Sequence, residues 1–231
     1  MLFRSADRDR CLADSANITR HEHFVHEYRF LHRNGEVLVV RDEMRVLRDA
    51  DGVPREIVGS WSDITSASTA QARMRLFGTA FESTQEAVLI TDQNSTIVSV
   101  NRAACEITGY TEAELVGRNP RLLRSKRHDR AYFEAVWAEL ARNDHWQGEI
   151  WNRRKDGSIY PQLTTISVVR DEAGRIVNHV SVGTDISRLK QAEHELHRLA
   201  HYDALTALPN RLMVLSRLEH AIARSQRDSF R

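Results

Sequence analysis

The sequence predicts an α+β fold, a single antiparallel sheet with short helices folded across one face. Three observations predict it. Between Ala87 and Ser187 the patterns run two strands, several short helices, three strands. The last three strands are joined by turn signals at Asp156-Gly157 and at Asp171-Glu172-Ala173-Gly174. The same three-strand stretch also occurs twice: sliding Asp63 onto Asp185, an offset of 122 residues, lays His23–Thr65 over His145–Ser187 without a gap. Under that offset Glu27 meets Glu149, Gly35 meets Gly157, Gly52 meets Gly174, and Asp63-Ile64-Thr65 meets Asp185-Ile186-Ser187. Shared turn chemistry explains the glycines, but not the equal strand lengths or the common ending.

Taken in order, residues 1–20 read as a short amphipathic segment, expected to form one helix. Strands follow at Phe24–Leu31, Glu36–Leu47 and Glu56–Trp61, parted by Asn34-Gly35 and Asp51-Gly52. Three strands and one short helix bury too little for a core, so residues 1–65 are read as the back half of a repeat whose front half lies upstream of Met1. A linker helix over 66–82 carries Ala67, Ala70, Met74, Phe77 and Phe81 at spacings of three and four. That stripe suits packing on its own domain or a parallel seam with a second copy.

The second repeat, 83–187, opens on a hairpin, Ala87–Thr91 and Thr96–Val100. Asn101 is an N-cap for a helix stopped at Gly109, and Thr111-Glu112-Ala113-Glu114 is a capping box. A basic stretch from Arg118 precedes a helix over 129–142 with Tyr132, Phe133, Val136, Trp137 and Leu140 on one face. Three strands then lead to a second linker helix over 188–200, where Leu189, Ala192, Leu196 and Leu199 hold heptad register. Pro209 opens a further helix, Leu212–Ala223.

Composition narrows the classes. Lys and Arg number 33 against 32 Asp and Glu, so net charge calls for neither nucleic acid nor an anionic membrane. No apolar run is long enough for a membrane span. Cys11 and Cys105 make no disulfide framework, and His194, His197, His201 and His220 have no cysteine beside them and no metal-ligand motif in their spacing, so no metal site is expected. A reducing cytosol is the expected compartment, with an upstream membrane anchor in the parent left open.

The second repeat resembles a PAS domain, a sensor module whose five-stranded sheet and short helices enclose a small pocket. The resemblance covers about 75–187 and rests on Ile90-Thr91-Asp92, Val100-Asn101-Arg102-Ala103, Thr108-Gly109-Tyr110, Gly117-Arg118-Asn119-Pro120, Trp146-Gln147-Gly148-Glu149, Asn152-Arg153-Arg154-Lys155-Asp156-Gly157 and Asp185-Ile186-Ser187. Residues 1–65 resemble the back half of another such domain. The final stretch, 201–231, resembles the entrance of a GGDEF domain, the diguanylate cyclase fold, through Asp203-Ala204-Leu205-Thr206 and Leu208-Pro209-Asn210-Arg211, with Ala207 where that family has glycine. Its nucleotide and metal motifs would lie beyond Arg231. The expectation is therefore a chain with no catalytic motif, from a parent that makes cyclic-di-GMP.

Several site residues follow from the resemblance. Light-sensing relatives place a reactive cysteine where this sequence has Pro120, which removes covalent flavin photochemistry. A redox flavin, FAD, would use Asn152 and Gln162 as ring-facing amides, with Trp137 and Trp146 at aromatic positions of dinucleotide-binding members. Gly183 stands where light-sensing relatives read flavin N5 with a glutamine. Haem would use His128, a weaker case because the distal arginine's position falls near Gly148. The basic run Arg121, Arg124, Lys126, Arg127, Arg130 reads as a solvated face without interleaved aromatics. Signal would pass through Asp185, Ile186 and Ser187 into the helix of Leu196 and Leu199, which would pair two copies as a homodimer. Two further outputs stand beside this: a ligand-free dimerisation or docking module, and the sensor of a histidine kinase with His201 as phosphoacceptor. The residues after His201 do not fit the kinase pattern.

Overall fold

The computed structural model describes residues 2–3, 7, 22–203, 206, 208–210 and 213–214. Contact density divides the chain into two units, Met1–Ala80 and Phe81–Arg231. Among the described residues no helix is long and apolar enough to cross a membrane.

The first unit is a four-stranded antiparallel sheet, β1 (Leu2–Phe3), β2 (His23–Leu31), β3 (Val37–Arg48) and β4 (Pro54–Asp63), paired in chain order. Leu2 and Phe3 pair with Leu31 and Phe30, so the helix expected over 1–20 gives way to a strand at its start. The rest of that segment lies outside the described residues. Tyr28, Phe30 and Val40 form the small core, with Trp61 edge-on against both rings. The long helix α1 (Thr65–Ser83) follows and has no buried residue.

The second unit contains a five-stranded antiparallel sheet, ordered β6-β5-β9-β8-β7, as the pattern of its strands predicts. Its strands are β5 (Ala87–Asp92), β6 (Ile97–Val100), β7 (His145–Arg153), β8 (Ile159–Arg170) and β9 (Ile176–Asp185). Between β6 and β7 the chain forms α2 (Arg102–Thr108), α3 (Glu112–Leu115), a 3-10 turn (Pro120–Leu123) and α4 (Arg130–Asn143). Helix α5 (Ser187–His201) follows β9. The helix expected at Leu212–Ala223 lies almost wholly outside the described residues.

Local chemistry places each helix. Asn101 is buried; its side-chain oxygen accepts the Val88 and Ala104 N–H groups while its amide donates to the Phe81 and Glu86 carbonyls. One residue thus caps α2 and ties the end of α1 to β5. Gly109 ends α2 at φ 75°, a conformation glycine adopts without strain. The Asp129 carboxylate caps α4 through the Tyr132 N–H. Val136 and Leu140 on α4 then bury against Trp146 and Ile150 on β7, each full burial stabilising the fold by about 1.5–3 kcal/mol. A second cluster joins Ala87, Leu89, Ile97, Val100, Ala104, Leu115 and Leu123.

The duplication is geometric as well as sequential. β2–β3 and β7–β8 share one register, His23 facing Arg45 as His145 faces Ser167. The bulge at Leu47/Arg48 recurs at Val169/Arg170. The Ile64 N–H bonds the Val39 carbonyl as the Ile186 N–H bonds the Pro161 carbonyl.

Candidate ligand-binding cavity

Side-chain alternation along β7, β8 and β9 sends one set of residues toward the helices. On β8 that set is Gln162, Thr164 and Ile166; on β9 it includes His179 and Ser181; β7 adds Ile150 and Asn152. Leu123, Phe133, Val136 and Trp137 cover them from the 3-10 turn and α4, leaving a cavity of about 350 Å³, toward the small end of the roughly 300–1,000 Å³ of ligand sites. A backbone bridge from Arg124 to Asn152 holds the cover to the sheet edge.

The walls are mostly apolar, with a few polar groups set deep. Asn152 Nδ2 donates to Gln162 Oε1 at 2.6 Å, and both residues are buried. Thr164 is only 3% exposed, and its Oγ1 has no hydrogen-bond partner. Nor has His179 Nδ1, whose ring meets Trp137 edge-on at 5.6 Å. Buried polar atoms without partners are uncommon because each forfeits its bonds to water. Two of them in one cavity wall point to a ligand with polar groups of its own.

Arg121 and Arg124 also line the cavity. The Arg124 guanidinium lies 3.9 Å over the Phe133 ring, and burial, with Arg121 adding repulsion, lowers its pKa. Neither arginine forms an ion pair among the described residues. Arg127 likewise stacks 3.8 Å over Trp151. Arg121, Lys126, Arg127 and Arg130 are exposed, as expected of a solvated face, while Arg124 is half-buried; what the sequence did not show is that the fold brings Phe133 and Trp151 under Arg124 and Arg127.

The predicted site residues separate into three groups. Asn152, Gln162 and Trp137 meet at the cavity, Trp137 remaining 41% exposed at its wall. Trp146 is absent from the wall; it shares a strand face with Ile150 and Asn152, but α4 buries it in the core. His128 is also absent. Its Nε2 accepts the Trp151 N–H at 3.1 Å and its ring stacks on Tyr132 at 4.0 Å, while burial lowers its pKa and keeps the imidazole neutral for that bond. Pro120 lines the cavity where a reactive thiol would be needed; Cys105 packs instead beside the core cluster of α2. Thr164 and His179 escaped sequence reasoning, although Thr164 follows Gln162 at the period-2 spacing of a strand face.

The third group marks the exit from the sheet. Asp185 Oδ1 accepts the Ser187 N–H at 2.8 Å, opening α5, while Asp185 Oδ2 meets Arg154 Nη2 at 2.5 Å. Burial pushes the Asp185 carboxyl up, but the bonds from Ser187 and Arg154 outweigh it and hold the group below the usual range. Arg154 also donates to the Ile107 carbonyl and lies 4.0 Å over Tyr160, whose phenol burial pushes up to about 12. Ile186 is buried, and Lys190 reaches Glu149 at 2.8 Å. Leu196 and Leu199 stand exposed on α5.

Residues 85–188 match a family model described as PAS domain, and residues 2–60 match one described as PAS fold. Residues 85–188 are a PAS domain. This PAS domain is a sensory, signal-transduction module. The nitrogen fixation regulatory protein of Klebsiella oxytoca is 30% identical over 162 residues, 70% of this chain and 31% of that protein. The blue-light-activated histidine kinase of Rhizobium johnstonii is 30% identical over 146 residues, 59% of this chain and 42% of that protein. This chain therefore spans less than half of either relative's length. A PAS domain from Colwellia psychrerythraea, known as a crystal structure, is 21% identical with a TM-score of 0.48, over 50% of this chain and 98% of that one.

Proposed function

We propose that the PAS domain senses redox state through a flavin, FAD, and controls cyclic-di-GMP synthesis in a longer parent protein. The observation that carries the flavin reading is the cavity itself: a mostly apolar space of about 350 Å³ whose wall holds Thr164 Oγ1 and His179 Nδ1 without partners. Asn152, Gln162 and Thr164 would bond the polar edge of a ring inserted between the sheet and α4. Phe133 and Trp137 would pack its faces, and Arg121 and Arg124 would receive an anionic arm. When bound, the flavin supplies reversible electron transfer; the chain supplies orientation and a dry wall. Pro120 in the wall argues for redox sensing over covalent photochemistry.

Output would leave through Asp185-Ile186-Ser187 into α5, whose exposed Leu196 and Leu199 offer a seam to a second copy. The opening motif Asp203–Thr206 and Leu208–Arg211 supports a cyclase as the next domain. Asp203 Oδ1 there accepts both the N–H and the hydroxyl of Thr206. The kinase relative favours a second reading, in which the same sensor drives a histidine kinase.

An absorption spectrum of the purified chain, before and after incubation with FAD, tests the sensor. Flavin bands that stay with the protein through gel filtration are expected. A colourless chain that takes up no FAD sinks the flavin reading and leaves a docking module.

A further inference from the structure

The outer face of β7 carries a group of cations that no carboxylate among the described residues answers. Glu149, Trp151 and Arg153 alternate onto that face, opposite Ile150 and Asn152 in the cavity wall. The Arg127 guanidinium lies 3.8 Å over the Trp151 ring, and Lys126 precedes it in an exposed bend. Arg153 donates from Nη2 to the Arg124 carbonyl at 2.9 Å. Among the described residues Lys126, Arg127 and Arg153 form no ion pair. Carboxylates of the flanking elements are already engaged: Asp129 caps α4, Glu134 meets Arg130 at 2.6 Å and Glu149 meets Lys190 at 2.8 Å.

This bend is clamped to the sheet. The Ser125 hydroxyl donates to the Trp151 carbonyl, and the Trp151 N–H donates to His128 Nε2 at 3.1 Å. Both backbone groups of one β7 residue are thus taken by the two side chains that flank Lys126 and Arg127. Lys126 itself sits at φ 66°, in the left-handed region that few non-glycine residues adopt. Stacking covers one face of the Arg127 guanidinium and leaves its N–H edge without an acceptor. A cation held in this way has lost part of its freedom before any partner arrives, which favours binding.

We propose that Lys126, Arg127 and Arg153 form a docking surface for an acidic segment of another polypeptide. Planar guanidinium edges suit carboxylates, which accept two parallel N–H bonds. Nucleic acid fits less well: Arg127 covers the ring of Trp151 on which a base would stack, and the net charge of the chain is only +1. The surface is separate from the cavity and does not depend on what the cavity holds. Lys190 of α5 reaches the same strand face at Glu149, so a docked segment would lie beside the first turn of α5.

The test uses the full 231-residue chain and a dye-labelled oligoglutamate peptide, with fluorescence anisotropy at low salt as the binding signal. The wild-type chain is expected to bind it, and Arg127→Gln and Arg153→Gln each to weaken binding by about tenfold. Arg127→Lys keeps the charge but loses the planar edge, and is expected to weaken binding severalfold. Arg75→Gln, at an exposed position of α1, should change nothing. Lys126→Gln, on the exposed bend, should also weaken binding and stands in for either arginine variant that circular dichroism shows to be misfolded. A wild-type chain that does not bind, a loss from Arg75→Gln equal to that from Arg127→Gln, or an Arg127→Lys variant that binds like wild type overturns the inference. So does tighter binding of an oligouridylate of the same charge, which would make the partner a nucleic acid.

Discussion

Thr164 is a residue whose chemistry runs against its surroundings. Its β-branched shape suits a central strand, yet its hydroxyl is buried without a partner, a condition that costs about 1–3 kcal/mol. Thr164→Val keeps the shape and removes the unmet hydroxyl. The ligand-free chain should gain about 1 kcal/mol in urea denaturation, while its affinity for FAD falls. A variant that loses stability in the ligand-free chain would show that the hydroxyl already serves the fold. His128 is the converse case, a residue whose polar atom is spoken for. Its Nε2 holds the β7 backbone at Trp151, so the imidazole works as a strap between the loop before α4 and the sheet.

At the scale of elements, one carboxylate ties the end of β9 to the first residue of α5. Asp185 takes the Ser187 N–H and pairs with Arg154, which itself reaches the end of α2 through Ile107. Because the folded Asp185 pKa lies below its ordinary value near 3.8, its contribution is present above that pH and is lost as pH falls through the folded value. Asp185→Asn can still accept the Ser187 N–H but loses the charge facing Arg154. It should lower stability at neutral pH by about 1–2 kcal/mol and lessen the fall in stability below about pH 4. Chemical denaturation across pH measures both. In the first repeat Asp63 binds Thr65 in the same way, but His32 stands at the position of Arg154. The two copies therefore share the carboxylate-to-backbone bond before the helix and differ in the tie that joins it to an earlier helix.

At the scale of the whole molecule, α5 has no buried residue within the chain, and Leu196 is 67% exposed. A helix whose apolar stripe faces water calls for a partner, and heptad register suits a second copy of itself. If α5 pairs two copies as proposed, Leu196→Glu should weaken dimerisation by roughly tenfold or more, as sedimentation of the chain would report, and should uncouple ligand from output in the proposed parent. A variant that stays dimeric and still responds would remove α5 from the signalling route. The coupling would work as a helix pair with two arrangements, biased by a ligand of unequal affinity for them.

Much of this protein is legible in its sequence because the signals are local. Asp-Gly turns, the Asn101 cap, the Thr111 capping box and the period-2 runs each concern a few adjacent residues, and together they place the strands and helices of the second unit. The 122-residue repeat needs no coordinates, and even the matching bulges follow from it. The cavity is different, because it is made across strands. Nothing in the chain near α4 says that this helix will bury Trp146 while leaving Trp137 at the wall. The charge pattern around Arg124 does not announce Phe133 beneath it either. Those outcomes depend on register, on diagonal neighbours between strands and on which side of a helix lands on the sheet, and only packing in three dimensions decides them.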